Sequence, residues 1–185
     1  MENRVFVITG AAGSGKTTVR NYLHDHFNMT KVITHTTRPP RSNERNGVDY
    51  YFETRLSFAK NHYLESVEYA GNLYGSSYEG LQNAWKQTPF ACIVLDTAGA
   101  ITYQQKLGTK AVIIFLKVGD TQELQERMMV RGDDTAMVAK RVKSPEYHRD
   151  LEMPAALKGK AFEIVNQNLA ATKKRVDRIV TTYLN

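Results

Sequence analysis

Near its start the chain reads Val5-Phe6-Val7-Ile8-Thr9, and then Gly10-Ala11-Ala12-Gly13-Ser14-Gly15-Lys16-Thr17. The first run is apolar and of strand length. The second matches the pattern G-x-x-x-x-G-K-[ST] at every fixed position. A helical pattern follows from Thr17 to Phe27. A strand, a glycine-rich turn and a helix in this order predict a loop whose backbone N–H groups converge on the phosphates of a nucleotide.

The side chains of this loop have predicted roles in binding ATP. Lys16 is expected to reach the β- and γ-phosphates, and the Thr17 hydroxyl to ligate Mg²⁺. Asp96, at the end of the apolar run Cys92-Ile93-Val94-Leu95, is a second candidate for the metal through bound water. The alternative for Asp96 is a helix cap. The predicted ATP-binding residues of the loop are Gly10, Ala11, Ala12, Gly13, Ser14, Gly15, Lys16, Thr17 and Thr18.

Strand-like and helix-like segments alternate along the chain, which predicts an α/β fold. Further apolar runs of strand length occupy Ala91–Leu95, Ala111–Leu116 and Phe162–Val165, and a helical pattern closes the chain over Leu169–Leu184. Continuous apolar runs are typical of strands that helices cover on both faces. The predicted fold is a three-layer α/β/α P-loop NTPase with a parallel central sheet.

Two stretches interrupt this alternation and predict appendages to one domain over residues 1–185. Residues 32–88 are rich in tyrosines and turn residues, which favours a small mixed insertion. Residues 131–145 are polar and charged, as expected of a mobile flap between helices. The predicted division is a core of residues 1–31, 89–126 and 146–185, the insertion 32–88, and a helical lid 127–145.

The composition excludes some partners. There are 25 Lys+Arg against 19 Asp+Glu, for a formal charge of +6. The arginines are spread among short motifs, which does not favour nucleic acid as a partner. No apolar run approaches the length of a membrane span, and the start lacks the pattern of a signal peptide. The single cysteine, Cys92, lies in an apolar run and is expected to be buried and inert. These features favour the cytoplasm; the oligomeric state is not predicted.

The segment from Thr34 to Phe52 contains Arg38 and Arg41, and Pro39-Pro40 restricts the backbone between them. Two guanidinium groups and a tyrosine hydroxyl make a good clamp for a phosphate dianion. Surface arginines in a turn are the alternative. The segment resembles the acceptor-site signature of guanylate kinases, T-T-R-x-P-R-x-G-E-x-x-G-x-D-Y-x-F, with Asn43 at the usual glycine. The run from Tyr63 to Ser76 likewise resembles their F-[IL]-E…G-N-x-Y-G-[ST].

This resemblance implies a GMP site and assigns its residues. Glu65 would accept hydrogen bonds from N1–H and the N2 amino group of guanine, with the Ser76 hydroxyl near the base. Adenine lacks those donors and would leave a buried carboxylate unpaired. The remaining residues of the implied GMP site, most of them around the phosphate, are Thr34, Arg38, Arg41, Tyr50 and Tyr74.

The resemblance extends to the lid. Arg127 would lie against the adenine ring of ATP, opposite Asn166. Arg131 and Arg141 would fold over the transferring phosphoryl group as arginine fingers. The implied catalytic residues are Lys16, Arg38, Arg131 and Arg141. The implied reaction is ATP:GMP phosphotransfer with Mg²⁺, and the implied partners are ATP and GMP.

Several positions depart from the family pattern. Ala11-Ala12 replaces Pro-Ser, and Val94 and Ala98 replace the first acid and the glutamine of D-x-D-x-Q-G. The lid is one residue shorter than usual, and Gln167 stands where an aspartate usually follows Asn166. Two alternatives therefore stay open: a P-loop kinase acting on another phosphorylated acceptor, and a non-catalytic interaction module.

Overall fold

The structure is a computed structural model that describes residues 2–69, 71–130 and 132–184. Its strands are β1 Arg4–Thr9, β2 Thr30–Lys31, β3 Thr34–Thr36, β4 Tyr50–Phe52, β5 Tyr63–Tyr69, β6 Asn72–Ser77, β7 Phe90–Val94, β8 Ala111–Lys117 and β9 Ala161–Val165. Its α-helices are α1 Lys16–Phe27, α2 Arg55–Phe58, α3 Tyr78–Gln87, α4 Thr97–Leu107, α5 Thr121–Val130, α6 Thr135–Val142, α7 Pro145–Asp150 and α8 Leu169–Leu184. Short 3₁₀ turns cover 108–110 and 155–157.

A five-stranded sheet of order β2-β7-β1-β8-β9 forms the centre of the molecule, and its pairings are parallel. Alternate residues of β1 point to opposite faces, as in any strand. Val5 and Val7 pack with side chains of α3 and α4, whereas Phe6 and Ile8 pack with side chains of α1 and α8. Two apolar layers therefore cover the sheet. The predicted three-layer α/β/α fold is confirmed.

The elements predicted around this sheet are present. The helix predicted from Thr17 to Phe27 is α1, which begins one residue earlier, and the closing helix is α8 with the predicted bounds. The predicted strands correspond to β1, β7, β8 and β9, with ends shifted by at most one residue. Cys92 lies in β7 and is fully buried, as expected.

A second sheet lies within residues 34–77 and has the order β4-β3-β6-β5. β3 pairs parallel with β4 and antiparallel with β6, and β5 and β6 form an antiparallel pair. The sheet is mixed, as the sequence predicts for this stretch. The proposed limits of the insertion and of the lid remain predictions.

The segment predicted as a charged flap contains helix. Asp134 caps α6 by accepting from the N–H of Met137, and Ser144 caps α7 by accepting from that of Tyr147. A small apolar cluster attaches these helices to the core; its buried members are Ala11, Val118, Leu124, Met128, Val138 and Tyr147. Within the described residues, no helix combines the length and the apolar character that crossing a membrane requires.

Candidate active site

One cleft of about 650 Å³ lies at the carboxyl ends of the central strands. Parallel α/β sheets commonly bind ligands at this edge. The residues after β1, β7 and β9 line the cleft, together with side chains of the mixed sheet and of the lid. The predicted residues brought together here are Ala12, Gly13, Gly15, Lys16, Thr17, Thr18, Thr34, Arg38, Arg41, Tyr50, Glu65, Tyr74, Asp96, Arg127, Arg141 and Asn166.

The loop between β1 and α1 requires glycine because neighbouring backbone approaches it closely. Gly10 has φ +129°, and a Cβ placed there would lie 2.3 Å from the carbonyl oxygen of Leu116. At Gly13, with φ +84°, a Cβ would lie 2.4 Å from that of Leu124. Side chains rarely tolerate either condition. Lys16 Nζ donates to the carbonyl oxygens of Gly10 (2.7 Å) and Ala11 (2.8 Å), so the lysine folds back over the loop.

Asn166 braces this loop from the end of β9. Its Nδ2 donates to the carbonyl oxygen of Ser14 (2.8 Å), and its Oδ1 accepts from the Thr172 hydroxyl (2.8 Å). Arg127 Nη2 donates to the backbone oxygen of Asn166 (2.9 Å), which brings the two predicted adenine contacts together. Asn166 is 4% exposed, and its amide supports the phosphate loop. The adenine contacts themselves stay predictions.

Four predicted residues do not line the cleft. Gly10 and Ser14 belong to the loop but are buried, and Ala11 packs into the apolar cluster with Tyr147. The Ser14 hydroxyl has no hydrogen-bond partner among the described residues. Ser76 is fully buried behind Glu65. A fifth, Arg131, lies outside the described residues.

Arg38 and Arg41, which we call the arginine clamp, are held by Glu44. The sequence analysis gave this acid no role. Arg38 Nη2 lies 2.9 Å from both carboxylate oxygens of Glu44, and Arg41 donates to the same carboxylate through its backbone N–H (2.8 Å) and its Nη1 (3.2 Å). Burial alone would raise the pKa of Glu44, but the hydrogen bonds and charges of the two arginines outweigh it and lower that pKa. Glu44 therefore remains ionised and orients both guanidinium groups.

Aromatic rings surround Arg38, which is 8% exposed. Its guanidinium carbon lies 5.4 Å from the ring centre of Tyr50 and 5.9 Å from that of Phe52. Tyr74 meets Tyr50 edge to face, with ring centres 6.4 Å apart. The rings restrict the guanidinium to one orientation, and two tyrosine hydroxyls stand at the same clamp.

Glu65 is a buried carboxylate on the wall of the cleft opposite the phosphate loop. Its Oε1 accepts from the Ser76 hydroxyl (2.9 Å), whose oxygen accepts from the Tyr103 hydroxyl (2.8 Å). Burial, with the charge of Asp96 added, outweighs the lowering effects of Ser76 and Lys106 and raises the pKa of Glu65 to about 7. Burial therefore disfavours the ionised form of Glu65, and donors supplied by a ligand would favour it.

Asp96 caps helix α4, which was the alternative considered for it. Its Oδ1 accepts from the N–H of Gly99 (2.8 Å), and its Oδ2 accepts from Arg149 Nη2 (2.5 Å). Burial raises the pKa of Asp96, and the nearby charge of Asp150 adds to the effect. Each carboxylate oxygen therefore already accepts one hydrogen bond, and Arg149 stands beside the carboxylate that was predicted to reach the metal through bound water.

The lid contacts the clamp through one carboxylate. Asp133 Oδ2 lies 3.4 Å from Arg141 Nη1, and its Oδ1 lies 3.9 Å from Arg41 Nη2. Arg141 thus lines the cleft from α6, and its role in a lid stays a prediction. Asp133 of the proposed lid therefore lies close to Arg41 of the arginine clamp.

Several residues of the site were missed by the sequence analysis. The spacing of Arg41 and Glu44 is a signal that could have suggested their pairing. No such signal exists for Tyr103, Arg149 or Asp150. The hydrogen-bond partners that place them in the site lie 27 to 53 residues away in the sequence. Tyr69 also lines the cleft. These residues are recognised only once the sheets and helices are assembled.

A phosphate-binding loop and a separate arginine clamp in one cleft define the chain as a P-loop phosphotransferase that brings two phosphorylated molecules together. The family model for guanylate kinase matches residues 2–182. The chain belongs to the guanylate kinase family.

Two relatives agree with this assignment, and one solved structure agrees with the fold. A guanylate kinase of Thermus thermophilus is 36% identical over 80% of this chain and 69% of its own length. A guanylate kinase of Neisseria meningitidis serogroup A is 34% identical over 97% and 87%. The crystal structure of guanylate kinase from Anaplasma phagocytophilum superposes with a TM-score of 0.70 over 98% of this chain and 86% of that one. At 23% identity, this last comparison supports the fold alone.

Proposed function

We propose that this chain carries out the reaction of its family, the transfer of the γ-phosphoryl group of ATP to GMP, with the residues of the cleft in the following roles. The observation that carries the proposal is Glu65. A buried carboxylate, held by the Ser76 hydroxyl, faces the same cleft as the phosphate loop. An acceptor that lacks a nucleobase would not need this carboxylate as a hydrogen-bond acceptor.

The acceptor phosphate is bound by the clamp. Arg38 and Arg41 supply the positive charge, and Tyr50 and Tyr74 supply hydroxyl donors beside it. Glu44 holds the two guanidinium groups before the ligand arrives, so less conformational freedom is lost on binding. Thr34 lies at the start of β3 on the same wall.

The acceptor base is read by Glu65. Guanine presents N1–H and an N2 amino group on one edge, and a single carboxylate accepts from both. Adenine lacks those donors, so the carboxylate would be desolvated without compensation. Ser76 acts from behind by orienting Glu65, since it is fully buried and donates to Oε1.

The γ-phosphoryl group needs positioning and positive charge more than covalent chemistry. Lys16 and Arg141 line the cleft and supply that charge, and Arg131 is proposed to join them. A phosphate oxygen of GMP is already an anionic nucleophile, so the transfer needs no general base. Movement of the proposed insertion (32–88) and lid (127–145) would exclude water that otherwise hydrolyses ATP.

Mg²⁺ fits the residues at the phosphate loop. Thr17 is exposed in the cleft at the start of α1, and its hydroxyl oxygen is a suitable ligand for this hard cation. Asp96 contributes through bound water, because Mg²⁺ keeps several of its waters and each carboxylate oxygen already accepts one hydrogen bond. When bound, the ion neutralises charge on the β- and γ-phosphates. We further propose the cytoplasm, where both nucleotides are available, as the site of action.

ADP release from ATP and Mg²⁺, with GMP, AMP, CMP and UMP supplied separately, tests the proposal. Strong stimulation by GMP alone is expected. Stimulation by a different nucleotide would show that the enzyme uses another acceptor. Failure of all four, with ATP bound and the protein folded, would contradict the proposed reaction and favour an unknown acceptor or a binding role.

A further inference from the structure

Arg149, at the end of the short helix α7, contacts the cleft wall through another residue. Its Nη2 donates to Asp96 Oδ2 (2.5 Å), and its Nε lies 2.9 Å from Asp150 Oδ1 and 3.1 Å from the Thr97 hydroxyl. Asp96 lines the cleft. One guanidinium therefore joins α7 to the start of α4, at the central sheet. We call the part of the cleft lining that holds Glu65 and Asp96 the acceptor wall.

The carboxylates of Asp96 and Glu65 approach the same point over Gly99. A Cβ placed on Gly99 would lie 3.0 Å from Glu65 Oε2 and 3.2 Å from Asp96 Oδ1. Two buried carboxylates this close repel each other unless a positive charge is near. The charge of Lys106 acts on Glu65, and Lys106 Nζ donates to the carbonyl oxygen of Leu64 (2.6 Å). The charge near Asp96, in contrast, comes from Arg149.

Helix α7 is fixed at both ends, which fixes Arg149. Tyr147 is fully buried in the cluster that also holds Ala11 of the phosphate loop. Asp150 is 2% exposed, and its Oδ1 accepts from the N–H (3.3 Å) and the hydroxyl (2.5 Å) of Thr97. The guanidinium of Arg149 is thus presented to Asp96 from a rigid support that also contacts the phosphate loop.

We propose that Arg149 is a positioning residue for the acceptor base: it holds the carboxylate of Asp96 in place and offsets its charge beside Glu65, so that the wall is ready for guanine. The proposal rests on the proposed function, which places the base at Glu65. Arg149 does not line the cleft itself, and its side chain is 37% exposed. Its effect reaches the ligand through Asp96.

GMP binding, measured by calorimetry without ATP or Mg²⁺, isolates the acceptor wall from the metal and from the phosphoryl transfer. Arg149→Ala is expected to raise the Kd for GMP roughly 10-fold, by analogy with the loss seen when a residue that orients a metal ligand is removed. Arg149→Lys keeps the charge without the forked geometry and should restore part of the affinity. Arg175→Ala, an exposed arginine on α8, is the matched control and should leave the Kd unchanged.

A double-mutant cycle separates positioning from general destabilisation. If Arg149 acts through Asp96, the loss from Arg149→Ala should largely disappear in an Asp96→Asn background. Additive losses would overturn the proposal, as would an Arg149→Ala protein that is less thermally stable but binds GMP normally. A kcat loss with unchanged GMP affinity would also overturn it, by placing Arg149 at the transferring phosphoryl group.

The outcomes for the proposed function are distinct from these. If the unaltered protein binds GMP and loses affinity on Arg149→Ala but does not transfer phosphate to GMP, the proposed reaction fails and the positioning role stands. If it transfers phosphate to GMP and Arg149→Ala leaves the Kd and the KM for GMP unchanged, the positioning role fails alone. If it does not bind GMP, both are overturned.

Discussion

The two proposed binding regions of the cleft are built by different means. The phosphate loop uses backbone: its glycines allow close approach, and Lys16 rests on the carbonyl oxygens of the loop itself. The acceptor wall uses side chains held by other side chains, as when Tyr103 supports Ser76 and Ser76 supports Glu65. The first end is set by a few consecutive residues, and the second by contacts between distant segments.

This difference implies that the two ends can be altered separately. A change in the phosphate loop should affect ATP and turnover, whereas a change in the wall should affect GMP and the choice of base. Variants that change both ends equally would contradict the comparison.

The largest effect is expected from Lys16→Ala. Removing the one lysine of the loop takes away charge that stabilises the transferring phosphoryl group, so kcat should fall about 10²- to 10³-fold. Steady-state kinetics with saturating GMP measures this, with Lys174→Ala on α8 as the matched control. Circular dichroism and GMP binding should stay normal. A turnover near that of the unaltered protein would remove Lys16 from the chemistry.

Glu65→Gln should have the next largest effect, confined to the acceptor. A hydrogen bond to a charged group contributes about 1.5–3 kcal/mol, so kcat/KM for GMP should fall between about 10- and 150-fold. The KM for ATP should remain unchanged, and discrimination against AMP should relax. Glu163→Gln, at an exposed position of β9, provides the control. Unchanged base selectivity would refute the assignment of Glu65 to guanine.

The pKa of Glu65 predicts a pH dependence at the same end. Burial, aided by the charge of Asp96, raises that pKa to about 7. The ionised form accepts from guanine, so the KM for GMP should increase as the pH falls below 7. The phosphate of GMP also titrates near pH 6. Glu65→Gln supplies the baseline, since its profile should lack the step due to Glu65; identical profiles would contradict the prediction.

The smallest effect is expected from Tyr103→Phe, which removes a hydroxyl two steps from the ligand. The lost hydrogen bond to Ser76 is worth about 1 kcal/mol, so the KM for GMP should rise roughly fivefold. The KM for ATP should not change. Tyr183→Phe on α8 is the control. No change in the KM for GMP would show that Ser76 holds Glu65 without help from Tyr103.

The comparison also explains what the sequence could and could not predict. Continuous apolar runs identified β1, β7, β8 and β9, because strands covered on both faces have few polar positions. The phosphate loop was found from its glycines, whose spacing the backbone geometry requires. Both features are local, so a pattern along the chain suffices to find them.

The acceptor wall was predicted in part, through resemblance. Arg38, Arg41, Glu65 and Ser76 were predicted as residues of this wall, but most of the side chains that hold them were not. Glu44 orients the clamp, and Arg149 reaches Asp96 from 53 residues away. The prediction that the Ser76 hydroxyl lies near the base stays a prediction; the structure shows it donating to Glu65 Oε1. Such contacts depend on how α4, α7 and the mixed sheet assemble, which no spacing shows.

The most direct test of the whole account is a competition for one phosphoryl group. ATP labelled at the γ-phosphate is supplied with Mg²⁺ and equal amounts of GMP, AMP, CMP and UMP, and the labelled products are separated. The account predicts that the label appears in GDP. Label in another diphosphate, or in inorganic phosphate alone, would contradict the claim that this cleft reads guanine at one end and ATP at the other.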